Sequence, residues 1–319
     1  MGTDPAIVIE GLTKSFGGLT AVDGVDLCVE SGSVFGLLGP NGAGKTTIVR
    51  LLATLLRPDR GQARIFGYDV VHKATAVRSM IGLTGQYASV DENLSAAENL
   101  QIFGRLLGLS GRAATRRADE LLEQFELTAA AHRPVRGFSG GMRRRLDLAV
   151  TLITLPPLIF LDEPTTGLDP HTRVGMWTTV RELVECGATI LLTTQYLEEA
   201  DALADRIAVM DHGRIVADGT TDELKASAGR EVLRLEVSHS HQLPALVEIV
   251  ERATGTAVRI GLEGRAISVP LAEVDYAADI FAACRQADIR LRAFGMDRPD
   301  LNEVFLALTG HPRSGGTAA

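Results

Sequence analysis

The chain has 319 residues, 45% of them hydrophobic and 23% charged, and a formal net charge of −8. That size and balance suit a globular protein with one large core and room for a smaller second one, so two domains are expected. The acidic balance argues against a nucleic-acid partner, which a basic face would serve, and no run reaches the roughly 18 apolar residues of a membrane span.

The N-terminal stretch "MGTDPAIVIEG" lacks the basic start and apolar segment of a secretory signal, so a cytoplasmic location is expected. The longest apolar stretch, Leu146 to Leu161, is interrupted by Asp147 and by Pro156 and Pro157. Cys28, Cys186 and Cys284 lie far apart without paired spacing, which fits reduced thiols and assigns them no chemistry.

In chain order, the first informative segment is "SVFGLLGPNGAGKTTIVRLLATLL". It reads as a strand from Val34 to Leu38, a glycine-rich turn, and a helix with apolar positions at Ile48, Leu51, Leu52 and Leu55. The turn Gly39, Pro40, Asn41, Gly42, Ala43, Gly44, Lys45 and Thr46 fits G-x-x-x-x-G-K-[ST], and Thr47 after it is a further nucleotide-binding candidate. Glycines let backbone N–H groups converge on phosphate, and the helix start adds positive potential. Lys45 would reach the terminal phosphates, and the Thr46 hydroxyl would ligate Mg²⁺.

Helical spacing follows at Leu100, Phe103, Leu106 and Leu107, and again at Leu121, Leu122 and Phe125, which predicts a helical insertion. In "GFSGGMRRRLDLA", Ser139, Gly140 and Gly141 open a helix as a second site of N–H groups and a hydroxyl for an anion, with Arg143 to Arg145 behind them. One nucleotide with two phosphate sites suggests a pocket shared between two copies.

The segment "PPLIFLDEPTTGLDP" carries the continuous apolar run of a central parallel strand, ending in Asp162 and Glu163. Two carboxylates there suit different tasks: Asp162 to hold Mg²⁺, usually through water, and Glu163 to orient and deprotonate an attacking water. A buried strand in "ILLTTQYLEEA" then runs directly into Gln195. Beyond "GTTDELKASAG" the pattern changes to short strands, "EVLRLEV", "AVRIGL" and "RAISVP", with helical runs "QLPALVEIVERA" and "EVDYAADIFAACRQA". His239 and His241 read as surface strand residues, and the tail "HPRSGGTAA" as disordered.

Taken together, the phosphate loop, "FSGGM" and "LDEPTTGLDP" resemble the nucleotide-binding subunits of ATP-binding cassette (ABC) transporters. The resemblance covers residues 6 to about 228 and departs from the commonest signature at Met142, where Gln is usual. It implies an α/β, P-loop ABC-type ATPase core over residues 1–228 with a helical subdomain at about 90–155, and a small α+β accessory domain over 229–319. It also implies that Phe16 stacks on the base, that Gln86 senses Mg²⁺ and the attacking water, and that Asp169 communicates between the two sites of a dimer. Taken singly, Phe16 also reads as a core aromatic, and Gln86 and Asp169 as ordinary loop residues.

Where Gln195 stands, the family usually has a histidine touching the γ-phosphate. Glutamine can still donate a hydrogen bond there but cannot become an imidazolium. That glutamine, "TTQYLEEADALADRIAVMDHGRI" and "LDLA" are similar to the daunorubicin-resistance type of antibiotic exporter. The resemblance implies an ATP- and Mg²⁺-dependent homodimer at the cytoplasmic face of the membrane, powering drug efflux through a separate permease. Its catalytic set would be Lys45, Glu163 and Gln195. A soluble ABC-type ATPase acting on ribosomes or DNA is the competing reading.

Overall fold

A computed structural model describes residues 4–85, 90–227, 232–261, 264–271 and 275–297. The chain divides into two compact units, Met1–Thr220 and Thr221–Ala319. The division falls just ahead of Gly229, where the sequence pattern changes, because the short helix before that glycine belongs to the second unit.

The first unit opens with the antiparallel hairpin of β1 (Ile7–Phe16) and β2 (Leu19–Val29). Next come β3 (Val34–Leu38), α1 (Lys45–Leu52), β4 (Arg60–Ile65), β5 (Tyr68–Asp69), α2 (Ala74–Met80) and β6 (Ile81–Thr84). Helices α3 (Ala96–Leu106), α4 (Gly111–Gln124) and α5 (Gly140–Thr151) precede β7 (Leu158–Asp162). The unit closes with α6 (Pro170–Glu185), β8 (Thr189–Thr194), α7 (Leu197–Leu203), β9 (Arg206–Asp211) and β10 (Arg214–Gly219).

Among the described residues these strands form a four-stranded antiparallel sheet, β2-β1-β4-β5, and a six-stranded sheet, β10-β9-β3-β8-β7-β6. The larger sheet is parallel except where β10 meets β9. Every residue of β3, β7 and β8 is buried, which explains their unbroken apolar runs. One core joins the two sheets, with Ile9 and Leu12 from the antiparallel side, Ile48 and Leu51 of α1, and Phe35 and Phe160 from the parallel side.

The expected helical insertion is the layer of α3, α4 and α5, where Leu100, Leu121, Leu122 and Phe125 are buried. Leu106 and Leu107, placed on the same stripe by spacing, are instead 76% and 51% exposed. Helix α3 ends at Leu106 and the chain turns away at Gly108, so these two side chains overrun the packed face.

In the second unit, α8 (Thr221–Ser227) leads to β11 (Val232–Val237), α9 (Leu243–Thr254), β12 (Arg259–Ile260), β13 (Ala266–Pro270), α10 (Asp275–Gln286) and β14 (Leu291–Asp297). The antiparallel order is β12-β13-β11-β14, and Leu246, Val250, Ile280 and Cys284 from the two long helices cover Leu233, Leu235, Ile267 and Val269. Strand β14 is absent from the sequence reading, because as an edge strand it leaves Phe294 69% exposed and shows no clean alternation. His239 and His241 lie exposed at a 3₁₀ turn just past β11 rather than in a strand, with ring centroids 5.6 Å apart. Residues 298–319 lie outside the described residues.

Helix α3 begins with a complete capping box. The Glu98 N–H donates to Ser95 Oγ at 3.3 Å, and Glu98 Oε2 accepts from the Ser95 N–H at 2.8 Å and from its hydroxyl at 2.7 Å. Ser95→Ala should therefore lower stability by about 1 kcal/mol, read as a shifted midpoint in chemical denaturation of the full chain. An unchanged midpoint would mean that packing alone starts this helix.

Candidate active site

The parallel register fixes which strand ends meet. Leu38 of β3 pairs with Thr194 of β8, and Thr193 of β8 lies opposite both Leu37 and Asp162. Strand β8 therefore runs between the strand that feeds the phosphate loop and the strand that ends in Asp162. The Gly39 N–H closes the edge by donating to the Thr194 carbonyl at 3.2 Å. Carboxyl ends of parallel strands are where such sheets bind ligands, because the loops there diverge and helix starts point inward.

At the end of the loop, Gly44 has φ +108°, and a Cβ there would sit 2.2 Å from the Ala21 carbonyl oxygen of β2. Only glycine can hold this turn. Lys45 follows as the first residue of α1, buried, its Nζ donating to the carbonyls of Gly39 at 2.8 Å and Pro40 at 3.0 Å. Burial pulls its pKa down, and the charges of Glu163, 3.7 Å away, and Asp162 oppose that shift.

Asp162 Oδ1 accepts from the Thr46 hydroxyl at 3.1 Å and from the Thr193 hydroxyl at 2.5 Å. Glu163 adopts a left-handed backbone, φ +51°, which costs a non-glycine residue about 1 to 3 kcal/mol. Its N–H is held by the Thr193 carbonyl and hydroxyl, both at 3.1 Å. Thr193 thus holds the Asp162 carboxylate and the Glu163 backbone. The sequence reading passed over it, although a polar "TT" closing an apolar strand was the available signal.

A cleft of about 270 Å³ lies over this edge, lined by residues of the loop from Asn41 to Thr47 together with Ala21 and Glu163. Its donors are backbone amides, an ammonium and hydroxyls, a set made for polyphosphate. The hydroxyl of Thr46 and the carboxylate of Asp162 are hard oxygen ligands that fit Mg²⁺. That ion keeps waters and takes phosphate oxygens rather than demanding a protein cage. No group of three or more His, Cys, Asp or Glu that could cage a metal occurs among the described residues.

Other candidates stand apart from this cleft. Phe16, at the end of β1, is 45% exposed, which rules out a core aromatic, and Lys14 Nζ lies 5.6 Å from its ring centroid. Ser139 caps α5, accepting from the Met142 N–H at 3.3 Å. A Cβ on Gly141 would meet the Thr172 methyl at 2.5 Å, and Thr172 in turn donates its hydroxyl to Asp169 Oδ2 at 2.6 Å. Asp169 also caps α6, and these Thr172 donors lower its pKa. Ser139, Gly140, Gly141, Phe16, Asp169 and Gln195 do not line the cleft. Gln86 lies outside the described residues.

The three arginines behind Gly141 take different partners. Arg143 pairs with Glu92 and Arg145 with Glu126, each at 3.0 Å, while Arg144 turns inward and is buried. Arg144 donates to the carbonyls of Pro164 at 2.8 Å, Gly85 at 2.5 Å and Asp162 at 3.2 Å.

Comparison with known proteins identifies the family. Residues 22–166 match the family model described as ABC transporter, and residues 219–309 match the ATP-binding protein DrrA1-3-like, C-terminal domain. The daunorubicin/doxorubicin resistance ATP-binding protein DrrA of Streptomyces peucetius is 50% identical over 98% of this chain and 95% of its own length. This chain belongs to the ATP-binding subunits of ABC transporters. It is similar throughout to the daunorubicin-resistance group. The Nod factor export ATP-binding protein I of Ralstonia nicotianae is 39% identical over 97% of this chain and 95% of the relative. A dimeric ATP-binding cassette solved in a post-hydrolysis state with ADP and Pi superposes with TM-score 0.62 at 26% identity, over 67% of this chain and 98% of that one. The subunit is thus a member of a family of ATPases and binds ATP through an ABC core. No helix among its described residues is long and apolar enough to cross a membrane.

Gln195 follows β8 half-buried, and the helix it introduces carries Glu199, which is fully buried and accepts from Trp177 Nε1 at 3.4 Å. Burial raises the Glu199 pKa, and nearby donors, Trp177 among them, oppose that shift without cancelling it. The folded chain therefore holds this proton more tightly than the unfolded chain does. Ionisation costs stability above the folded-state pKa, and the cost fades as pH falls toward the ordinary glutamate value of about 4.3. Glu199→Gln should raise the thermal midpoint at pH 8, with a gain that shrinks steadily toward pH 5. Unfolding scans of both proteins across that range check this, and a gain that grows on acidification would contradict it.

Proposed function

We propose that the subunit hydrolyses ATP with Mg²⁺ as one of two copies, driving an exporter of antibiotic or similar drugs whose membrane permease is a separate chain. The observation that carries the ATPase reading is the meeting of Lys45, Thr46, Asp162 and Glu163 at one sheet edge within 3.7 Å of a neighbour. The export reading is supported by relatives whose names specify daunorubicin and doxorubicin resistance or Nod factor export, rather than action on ribosomes or DNA. A permease partner would hold the subunit at the cytoplasmic face of the membrane.

In this reading the loop from Gly39 to Thr47 and Lys45 bind the phosphates, and Phe16, exposed at its strand end, stacks on the base. Mg²⁺, held by Thr46 and Asp162 with Gln86, would neutralise charge between the β- and γ-phosphates. Glu163 takes a proton from the water that attacks the γ-phosphorus, ADP leaves, and the Gln195 amide steadies the γ-phosphate. Ser139, Gly140 and Gly141 serve the nucleotide of the second copy, which accounts for their position away from their own chain's cleft. Asp169, hydrogen-bonded to Thr172, which packs on the helix start at Gly141, relays between the two sites.

Lys45→Ala should abolish nucleotide binding in a titration, because the ammonium on the terminal phosphates is lost. Glu163→Gln should keep ATP affinity, cut hydrolysis by about 10² to 10⁴, and accumulate an ATP-bound dimer in sedimentation. A Glu163→Gln protein that stays monomeric at saturating ATP and Mg²⁺ would falsify the shared-site reading.

Gln195→Ala should leave affinity nearly intact and lower the rate by up to roughly 10² to 10³, the cost of removing one preorganised donor. Gln195→His should remain active and add an ionisation near about 6.5 to the rate profile. Rates measured from pH 5.5 to 8 with the membrane partner present decide this. A parental rate in Gln195→Ala would make that side chain a bystander.

A further inference from the structure

The buried guanidinium on α5 is not accounted for by any step above. Arg144 reaches three backbone carbonyls, and the choice of carbonyls is informative. Asp162 O belongs to the peptide entering Glu163, and Pro164 O lies just beyond it, so one guanidinium brackets the residue with φ +51°. Gly85 O, the third acceptor, immediately precedes Gln86. A left-handed non-glycine residue persists only where its surroundings over-determine it. From one side Thr193 holds the Glu163 N–H; from the other Arg144 holds the flanking carbonyls.

Any buried guanidinium needs acceptors; what is particular here is that two of the three lie on either side of Glu163. The neighbouring Arg143 and Arg145 show the ordinary alternative, pairing with surface acids. Arg144 instead has Asp147 at 3.6 Å, with Asp162 and Glu199 also near enough to stabilise its charge. The acids supply charge balance, and the planar fork supplies geometry that a lysine cannot copy.

We propose that Arg144 is a positioning residue for hydrolysis: from the helix that starts at Ser139, it locks the backbone on both sides of Glu163 and so aims that carboxylate. The inference rests on the reading of Glu163 as the base. It also makes α5 the mechanical link in one chain between the end offered to a second copy's nucleotide and the carboxylate serving its own.

The test is single-turnover ATP hydrolysis by the full-length subunit with Mg²⁺ and its membrane partner, with Arg144→Met and Arg144→Lys each made in the parental and Glu163→Gln backgrounds. Arg144→Met should bind ATP within about threefold of the parent while hydrolysis falls roughly 10²-fold, the effect of a slightly misplaced catalytic group. Arg144→Lys should recover only part of that loss. In the Glu163→Gln background the same replacements should change the residual rate by less than about twofold, because their effect passes through the missing carboxylate. Thermal unfolding with ATP checks that each variant is folded, and if Arg144→Met is not, Arg144→Lys carries the comparison. Equal losses in both backgrounds, or binding lost in step with hydrolysis, would show a merely structural arginine and overturn the proposal. So would a parental rate in Arg144→Met, or in Arg144→Lys where that variant carries the comparison. A Glu163→Gln protein with the parental rate would instead remove Glu163 as the base, and the proposal with it.

Discussion

The site depends on the register of three parallel strands, β3, β8 and β7. Their interiors are buried on both faces, so none can carry a polar side chain until it reaches the sheet edge. All the chemistry is thereby concentrated at one set of strand ends. The register then sets what meets there: Thr193 stands level with Asp162, and Thr194 with the start of the phosphate loop. A shift of one residue would turn Thr193 away from Asp162 and Glu163.

Around that edge the chain buries several ionisable groups. Lys45, Arg144, Asp147, Asp162, Glu163 and Glu199 are all buried. Each would be costly alone, and removing one member of such a group leaves its partner uncompensated. The arrangement works because charges face opposite charges or hydrogen-bonding groups: Lys45 lies against Glu163, Arg144 against Asp147 and three carbonyls, Thr46 and Thr193 against Asp162. A cluster held in this way is stiff, which suits a site whose catalytic power comes from preorganised dipoles rather than from rearrangement.

The helical layer of α3, α4 and α5 is tied to the same edge. Arg144 reaches from α5 into the loops after β6 and β7, while Gly141 packs on Thr172, whose hydroxyl is bonded to Asp169. Two independent contacts therefore join the start of α5 to the loops around Asp162 and Asp169. Movement of that helix end cannot leave those loops unaffected.

The sequence by itself determined the local chemistry. Gly44, Lys45 and Thr46 follow from what a phosphate demands of a loop, Asp162 and Glu163 from a carboxylate pair closing an apolar strand, and the helix opened at Ser139 from the serine and two glycines there. The α+β pattern of the last ninety or so residues was visible in the same way, except for the edge strand β14. What only the tertiary structure decided was partnership. Periodicity shows that a strand is buried but not which strand lies beside it, so the placement of β8 between β3 and β7, and with it the role of Thr193, could not be read in advance. The three consecutive arginines after Met142 looked alike in sequence. Their positions, about 100° apart around α5, sent Arg143 and Arg145 to surface acids and Arg144 into the core, and that difference exists only once the helix has something to pack against.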